Sequence, residues 1–294
     1  MKRFLLKMAL AAAFSLLVVG VWAGLAMKNC PEVRYGAEVA EAISLSGQSF
    51  PKARIVILGD SVAKQLLRPF VVKQAKRTDI VSLTSNQAIM PLGNRLLLEN
   101  YLKRNPQTKR VVYVVRPTSL ANDGRRSYTF NYFIYPFCKA GLVSGLFPED
   151  RKELERRFGR IVFRSAFVRK LLYANDFLYD FYEKRIVTVP PPRKDRPIPD
   201  ACIRQLAAMR ESCHARGVEF HLLPPPMKEG TQEDNRRFVE YLAAKGFPGL
   251  AETYAAELRY RPASDFRDGI HLLPGPQAEE TACMLAHPLI KEVR

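Results

Sequence analysis

The sequence predicts a three-layer α/β domain, in which a parallel sheet lies between two layers of helices. Short, nearly continuous apolar runs at residues 54–58, 80–83 and 111–115 are typical of strands buried on both faces. Helical patterns separate these runs, and strands that alternate with helices form right-handed βαβ units with a parallel sheet. The chain has 294 residues, 47% of them hydrophobic, which is enough for one large domain with a proper core.

The first 27 residues differ from the rest of the chain. Three basic residues precede an uncharged run over residues 8–27, and its 20 residues rise about 30 Å as a helix, enough to cross a membrane. The early positive charges keep the N-terminus in the cytoplasm. We therefore predict a single-pass anchor in the inner (cytoplasmic) membrane, with the following domain in the periplasm or outside the cell. The segment Val21-Trp22-Ala23 could serve as a cleavage site, which keeps a cleaved signal sequence and secretion as the alternative.

The remaining chain divides into a juxtamembrane linker with a short helix over residues 28–50 and an α/β domain over residues 51–294. The strand–helix alternation breaks between residues 118 and 199, where an aromatic-rich stretch predicts a helical insertion after the third strand. This insertion ends in a proline-rich segment. The elements predicted outside the insertion, beyond the first three strands, are one strand over 218–223 and helices over 62–76, 90–104, 201–216, 231–245, 251–260 and 276–285.

The chain is strongly basic, with a formal net charge of +17. A field of this sign attracts anionic lipid headgroups or acidic polymers, which are the predicted non-substrate partners, while a generally basic solvated surface is the alternative. Nucleic acid is excluded as a partner because the domain is predicted to be exported and carries no nucleic-acid-binding motif. The five cysteines form no C-x-x-C pair and no zinc-like cluster with the four histidines, so no metal site is predicted.

A serine stands where the first predicted strand ends and the next helix begins, in the sequence Gly59-Asp60-Ser61. In open parallel sheets, ligands bind outside the carboxyl ends of the strands. At the N-terminus of a helix, free N–H groups also favour negative charge. Ser61 in this position can attack a carbonyl while backbone N–H groups hold the developing oxyanion. Taken alone, Asp60 and Ser61 also fit a simple helix N-cap.

A candidate base for this serine is His271, in a loop ahead of the last predicted helix. Asp268 precedes it by three residues, and that spacing lets the carboxylate orient the imidazole and stabilise its cationic form. The other three histidines lie in ordinary helix or strand contexts and are interpreted as structural. Together, the two motifs predict a serine nucleophile, a histidine base and an orienting aspartate.

The two motifs resemble those of the SGNH (GDSL-type) hydrolase superfamily. That family places its nucleophile in a Gly-Asp-Ser motif after the first strand, and an Asp-x-x-His motif ahead of the final helix. The resemblance covers residues 52–117 and 200–290. It implies a flavodoxin-like sandwich and ester chemistry by Ser61, His271 and Asp268, with no metal or organic cofactor.

Two other family blocks depart from the pattern. The family has a glycine after the second strand whose N–H enters the oxyanion hole, and here the backbone N–H of Gln87 or Ala88 is expected to take that place. The family also supplies an Asn side chain after the next strand. Asn122 is the predicted equivalent and Asn86 the alternative, while a plain turn is the competing interpretation of Asn122. Arg116, at the end of the third strand, is either a ligand for an anionic substrate group or a surface arginine.

These features predict a membrane-anchored, extracytoplasmic serine esterase. Its substrate would be an ester-bearing polysaccharide or lipid of the cell surface, with acetyl as the foremost acyl group. Two alternatives stay open. The same acyl-enzyme can serve an O-acyltransferase to a cell-envelope glycan, or the fold can be a catalytically silent glycan-binding or assembly module.

Overall fold

The computed structural model describes residues 2–29, 37–73, 79–124, 129–174 and 198–290. Within them the predicted α/β fold is confirmed, with a parallel sheet of four strands and a surrounding majority of helix. The proline-rich end of the insertion and Cys30 lie outside the described residues. The division into an anchor, a linker over 28–50 and a domain from residue 51 onward stays a prediction.

The sheet has the strand order β2-β1-β3-β4, with every neighbouring pair parallel. This is the order of flavodoxin-like folds, in which ligands bind at the carboxyl edge beside the first strand, where the strand order reverses. A separate pair of two-residue parallel strands, β5 and β6, lies outside this sheet. The strands are β1 (Ile55–Gly59), β2 (Ile80–Ser82), β3 (Arg110–Val114), β4 (Glu219–Leu223), β5 (Met227–Lys228) and β6 (Tyr260–Arg261).

Most helices lie close to the predicted bounds, and α4 matches its predicted range of 90–104 at both ends. The predicted end of the helix over 62–76 lies outside the described residues. The described part of the insertion, up to residue 174, is mostly helical, as predicted, and also contains a π-helical turn at Phe130–Ile134. The helices are α1 (Lys2–Asn29), α2 (Ala37–Ser46), α3 (Ser61–Lys73), α4 (Met90–Arg104), α5 (Pro117–Leu120), α6 (Tyr135–Lys139), α7 (Pro148–Phe158), α8 (Arg160–Arg164), α9 (Ala166–Ala174), α10 (Asp200–His214), α11 (Gln232–Ala244), α12 (Pro248–Ala256) and α13 (Pro274–Ala286).

The central strand β1 is buried on both faces, because successive side chains of a strand point in opposite directions. Ile55 and Ile57 pack into a core with α3 and α13. Val56 and Leu58 pack into the larger core on the other face, which includes residues of α2, α4, α10, α11 and α12. The sheet therefore lies between two helical layers.

The insertion packs on the larger of these two cores. Its aromatic residues Phe130, Phe133, Phe137 and Phe158 are fully buried and belong to the same hydrophobic cluster as the sheet. These rings are accordingly core residues, and none of the four lines an open binding surface.

The helix predicted over 251–260 is wrong in both bounds. Helix α12 begins earlier, at Pro248, because proline suits the first turn of a helix, and it ends at Ala256. Tyr260 belongs instead to β6, which pairs with β5. The N–H of Met227 donates to the carbonyl of Arg259 at 2.9 Å. Residues 259–261 are therefore held in an extended conformation by a strand more than 30 residues away in the sequence.

The N-terminal helix α1 contains an apolar stretch, Phe4–Trp22, that is long and apolar enough to cross a membrane. None of the residues of that stretch whose burial is described is buried in the protein. Among the described residues it is the one helix that meets these criteria. Length and composition alone also fit a signal sequence, so the cleaved form remains an alternative.

Gly59 is required where β1 ends because there is no room for a side chain. A Cβ atom at this position would lie 2.4 Å from the Cβ of Ala63 and 2.7 Å from the carbonyl oxygen of Val114. We expect Gly59→Ala to lower the free energy of unfolding by about 1–3 kcal/mol, because the strand and helix must move apart. Denaturant unfolding of the two full-length chains tests this, with the exposed Gly249→Ala as the matched control. Equal stability of Gly59→Ala and Gly249→Ala would contradict the close packing.

Candidate active site

Ser61 is the first residue of α3, directly above the carboxyl end of β1. The preceding Asp60 caps the helix, since its Oδ1 accepts the N–H of Val62 at 2.9 Å. The first N–H groups of a helix have no intrahelical partner, and they place partial positive charge around the Ser61 hydroxyl. The helix N-cap interpretation therefore holds for Asp60 and leaves the hydroxyl of Ser61 available.

The structure brings Ser61 and His271 together across 210 residues of sequence. His271 Nε2 lies 3.0 Å from Ser61 Oγ, and His271 Nδ1 lies 2.8 Å from Asp268 Oδ2. A protonated Nδ1 donates to the Asp268 carboxylate, which leaves Nε2 as the acceptor for the Ser61 hydroxyl. The three predicted residues thus form one hydrogen-bonded chain, while their catalytic roles stay predictions.

Asp268 is held as a carboxylate by the turn that it caps. Its Oδ1 accepts the N–H groups of Ile270 at 3.2 Å and of His271 at 2.8 Å. Burial raises the pKa of Asp268, but the hydrogen bonds from His271 and Ile270 outweigh burial and lower the pKa from 3.8 to about 2. The stability that these bonds contribute is therefore present above pH 3.8 and is lost as the pH falls through about 2.

Two glutamines fix the loop that carries His271. Gln65, one turn after Ser61 on α3, donates from Nε2 to the carbonyl of Leu272 at 3.0 Å. Gln277, at the start of α13, donates from its own Nε2 to the carbonyl of Gln65, also at 3.0 Å. These reciprocal bonds tie the histidine loop to the helix of the serine. Sequence reasoning missed both glutamines, although Gln65 follows Ser61 at the i+4 spacing that places two residues on one helix face.

Arg116 lies at the carboxyl end of β3, beside Asp60 at the end of β1. Its guanidinium is buried, and its Nη2 lies 3.4 Å from Asp60 Oδ2. The hydroxyl of Ser119 donates to the same carboxylate oxygen. The alternative of a surface arginine is wrong, since Arg116 is only 7% exposed. Its Nε is buried with no hydrogen-bond partner, and its Nη2 faces Asp60. Arg116 therefore stabilises the residue before Ser61, and binding of a substrate anion stays a prediction.

The loop after β2 lies beside the candidate nucleophile, because the N–H of Ser85 donates to the carbonyl of Gly59 at 3.0 Å. The next residues form a 3-10 turn at Gln87–Ile89. Asn86 caps this turn, with its Oδ1 accepting the N–H of Ala88 at 2.9 Å. The N–H of Ala88 is therefore already used by Asn86. The N–H of Gln87, the first residue of the turn, is the better candidate to donate to an oxyanion.

Asn122 lies next to this turn, and its oxyanion role stays a prediction. Its Nδ2 donates to the carbonyl of Gln87 at 2.9 Å, and its Oδ1 accepts the N–H of Gly124 at 3.2 Å. The amide group has a second Nδ2 hydrogen that this bond does not use. Asn122 thus both stabilises its own turn and lies beside the loop of Gln87. The side-chain oxygen of Asn86, in contrast, caps the 3-10 turn.

The backbone is strained immediately after the 3-10 turn. Met90 has φ +63° and ψ 173°, a positive-φ conformation that costs a residue with a side chain about 1–3 kcal/mol. Gly124 packs directly on it, since a Cβ there would lie 2.5 Å from the Met90 sulfur. Strain of this kind persists where the surroundings determine the conformation, and here it fixes the path of the loop beside the site.

Two of the other three histidines contact glutamates, while His214 is exposed on α10. His221 Nε2 lies 3.3 Å from Glu219 Oε2, and His287 Nε2 lies 2.9 Å from Glu257 Oε1. Burial lowers the pKa of His221. The described cysteines, among them Cys202 and Cys213 on α10, form no disulfide bonds. In the described part of the chain, no three His, Cys, Asp or Glu side chains form a group that could hold a metal ion.

No protein-family model matches this chain, and no curated protein matches it. A solved structure that resembles it over most of its length is a chain from Streptococcus pneumonia, provisionally described as a platelet activating factor. The resemblance covers 94% of this chain and 99% of that chain, at 12% sequence identity and a TM-score of 0.41. A likeness of this degree says nothing about the reaction.

Proposed function

We propose that the chain is a membrane-anchored serine esterase of the SGNH type, which removes acyl groups from a cell-surface polysaccharide or lipid. The observation that carries this proposal is the hydrogen-bonded chain Ser61–His271–Asp268, with distances of 3.0 Å and 2.8 Å. A nucleophile, a base and an orienting carboxylate in this arrangement are what acyl transfer through a serine requires. Acetyl is the acyl group that we favour.

The first half of the reaction acylates the serine. Ser61 Oγ attacks the carbonyl carbon of the ester while its proton passes to His271 Nε2, and Asp268 stabilises the resulting imidazolium. The tetrahedral intermediate then collapses. The bond from carbon to the alcohol oxygen breaks, and that oxygen takes the proton from Nε2. The alcohol leaves, and the acyl group stays on Ser61 as a new ester.

The second half releases the acid. A water molecule gives its proton to His271 Nε2 and attacks the acyl carbon. Collapse of this second intermediate breaks the bond to Ser61 Oγ, which takes the proton back. In both intermediates we assign the oxyanion to the N–H of Ser61, the N–H of Gln87 and the unused Nδ2 hydrogen of Asn122. The N–H of Ser61 lies at a helix N-terminus, where negative charge is favoured, and the other two donors come from the neighbouring turn and from Asn122 beside it.

The test is an assay of the purified full-length chain in mild detergent. We expect it to release acetate from a small acetyl ester and from an acetylated polysaccharide. Ser61→Ala should remove this activity, whereas Ser144→Ala, which changes an exposed serine on the insertion, should retain it. Equal activity of the wild type and Ser61→Ala would contradict the proposal.

An esterase and an O-acyltransferase both form the acyl-enzyme and differ only in its acceptor. The same assay, with an acceptor added, therefore separates them. A deacetylated glycan is added as an acceptor, and free acetate and glycan-bound acetyl are measured. Release of acetate that the acceptor leaves unchanged supports the esterase. Transfer that exceeds hydrolysis would replace it with the transferase, and no turnover of either kind would favour a catalytically silent binding module.

Asp268→Asn is expected to lower kcat/KM by about 10²–10⁴-fold while the fold is retained. An amide that donates towards Nδ1 favours the tautomer whose proton sits on Nε2, which is then unable to accept the proton of Ser61. The Asn side-chain oxygen can still accept the N–H groups of the turn, so the loop should keep its conformation. Activity with the acetyl ester and the circular dichroism spectrum are measured together. An unchanged kcat/KM would remove Asp268 from the mechanism.

A further inference from the structure

Two consecutive helices of the insertion, α8 and α9, expose large apolar side chains next to cations. Ile161 is 61% exposed and Phe167 is 50% exposed, the largest values for such side chains outside α1 among the described residues. Arg164 follows Ile161 by three residues, and Lys170 follows Phe167 by three, so each pair shares one helix face. We call these four residues the α8–α9 face.

The charged side chains of the α8–α9 face are all cations. The segment from Gly159 to Ala174 contains no Asp or Glu. Arg164 and Lys170 are both exposed and have no acidic partner within the described residues. Cations placed beside exposed aromatic and aliphatic side chains are typical of helices that lie in the interface of a membrane with anionic lipids.

The opposite sides of both helices are fixed to the protein. Val162 and Phe163 of α8 are buried, and Tyr173 of α9 stacks on Tyr135 of α6 with the ring centroids 3.9 Å apart. Arg169 joins the two helices, because its Nη1 donates to the carbonyls of Val162 at 2.8 Å and Phe163 at 2.9 Å. The outward side chains therefore belong to a fixed surface rather than to a loose segment.

Helix α9 lies beside α1, which contains the candidate membrane span Phe4–Trp22. The α8–α9 face is thus close to the one described helix that can enter a bilayer. From this position, its charge and its exposed apolar side chains, we propose that the α8–α9 face rests on the anionic lipid surface around the anchor. Ile161 and Phe167 enter the headgroup region, and Arg164 and Lys170 bind lipid phosphates.

This contact would restrict how the α/β domain is oriented on its anchor. A single helix leaves a domain free to rotate and tilt above the bilayer, whereas a second contact limits both motions. The inference depends on membrane insertion of α1 and not on the esterase proposal, since none of the four residues belongs to the candidate active site.

The experiment measures which part of the domain touches lipid. The single tryptophan, Trp22, is changed to Phe, and one new tryptophan is introduced in the full-length chain by Phe167→Trp. The matched control is Ala282→Trp, an exposed position on α13, on the opposite face of the sheet. Each variant is reconstituted into vesicles of phosphatidylcholine with 30% phosphatidylglycerol, with and without brominated acyl chains that quench tryptophan fluorescence.

We expect brominated lipid to reduce the fluorescence of Phe167→Trp at least twofold more than that of Ala282→Trp. Arg164→Glu and Lys170→Glu, added to the Phe167→Trp variant, should bring its quenching down to the control value, because each lost cation weakens the contact about fivefold. Equal quenching of Phe167→Trp and Ala282→Trp would overturn the proposal. So would a blue-shifted emission of Phe167→Trp that brominated lipid does not quench, which would indicate a second copy of the chain or another protein on this surface.

Discussion

Removing either end of the proton relay is expected to cost the protein nearly all of its esterase activity. We expect Ser61→Ala and His271→Ala each to lower kcat by about 10⁴–10⁶-fold, because the hydroxyl and the imidazole act as one unit. His271 Nε2 lies 3.0 Å from Ser61 Oγ, within reach of the proton that it must accept. The measurement is the steady-state hydrolysis of an acetyl ester by the full-length chain.

The double variant distinguishes a relay from two independent contributions. If Ser61 and His271 act together, Ser61→Ala with His271→Ala should be no slower than the worse of the two single variants. Losses that multiply would show that the residues act separately and would contradict the relay. His287→Ala is the matched control, since this histidine contacts Glu257 and lies outside the relay.

Loss of the buried arginine is expected to have the largest effect on stability. Arg116→Met should lower the free energy of unfolding by about 3–5 kcal/mol, because it leaves the buried Asp60 carboxylate without its cation. Adding Asp60→Asn removes the uncompensated charge and keeps a capping side chain for α3, so it should recover most of the loss. Denaturant unfolding of the wild type, the two single variants and the double variant measures this coupling.

The same variants decide between the two roles of Arg116. A residue that stabilises Asp60 changes the unfolding free energy and shows coupling in the double variant. A residue that binds a substrate anion instead raises KM for an anionic ester while KM for a neutral ester is unchanged. If Arg116→Met is as stable as the wild type and alters only KM, the stabilising role is contradicted.

The sheet and most helices could be predicted because their signals are local. A short apolar run such as Ile55–Gly59 needs cover on both faces, and only a central strand of a layered sheet provides it. The helix Met90–Arg104 stops before Asn105 and Pro106, which are local stop signals. Local signals failed at Tyr260, because β6 owes its extended conformation to β5, far away in the sequence.

In the candidate site, too, features with local sequence signals could be predicted, and contacts that depend on the folded chain could not. Ser61 could be placed from the strand-to-helix junction, and His271 with Asp268 from their spacing ahead of the last helix. The contacts of Asn86 and Arg116 could not be predicted, because each depends on where a side chain points. The Asn86 side chain engages the N–H of Ala88, and Arg116 faces Asp60 across two strands that only the folded sheet brings together.

The central claim is that Ser61 is a nucleophile activated by His271, and covalent labelling tests it most directly. The full-length chain is treated with a fluorophosphonate, and the modified peptide is located by mass spectrometry in the wild type, Ser61→Ala and His271→Ala. We predict one adduct on Ser61 in the wild type, none in Ser61→Ala, and labelling slowed at least a hundredfold in His271→Ala. An adduct on another residue, or equal labelling of the wild type and Ser61→Ala, would contradict the claim.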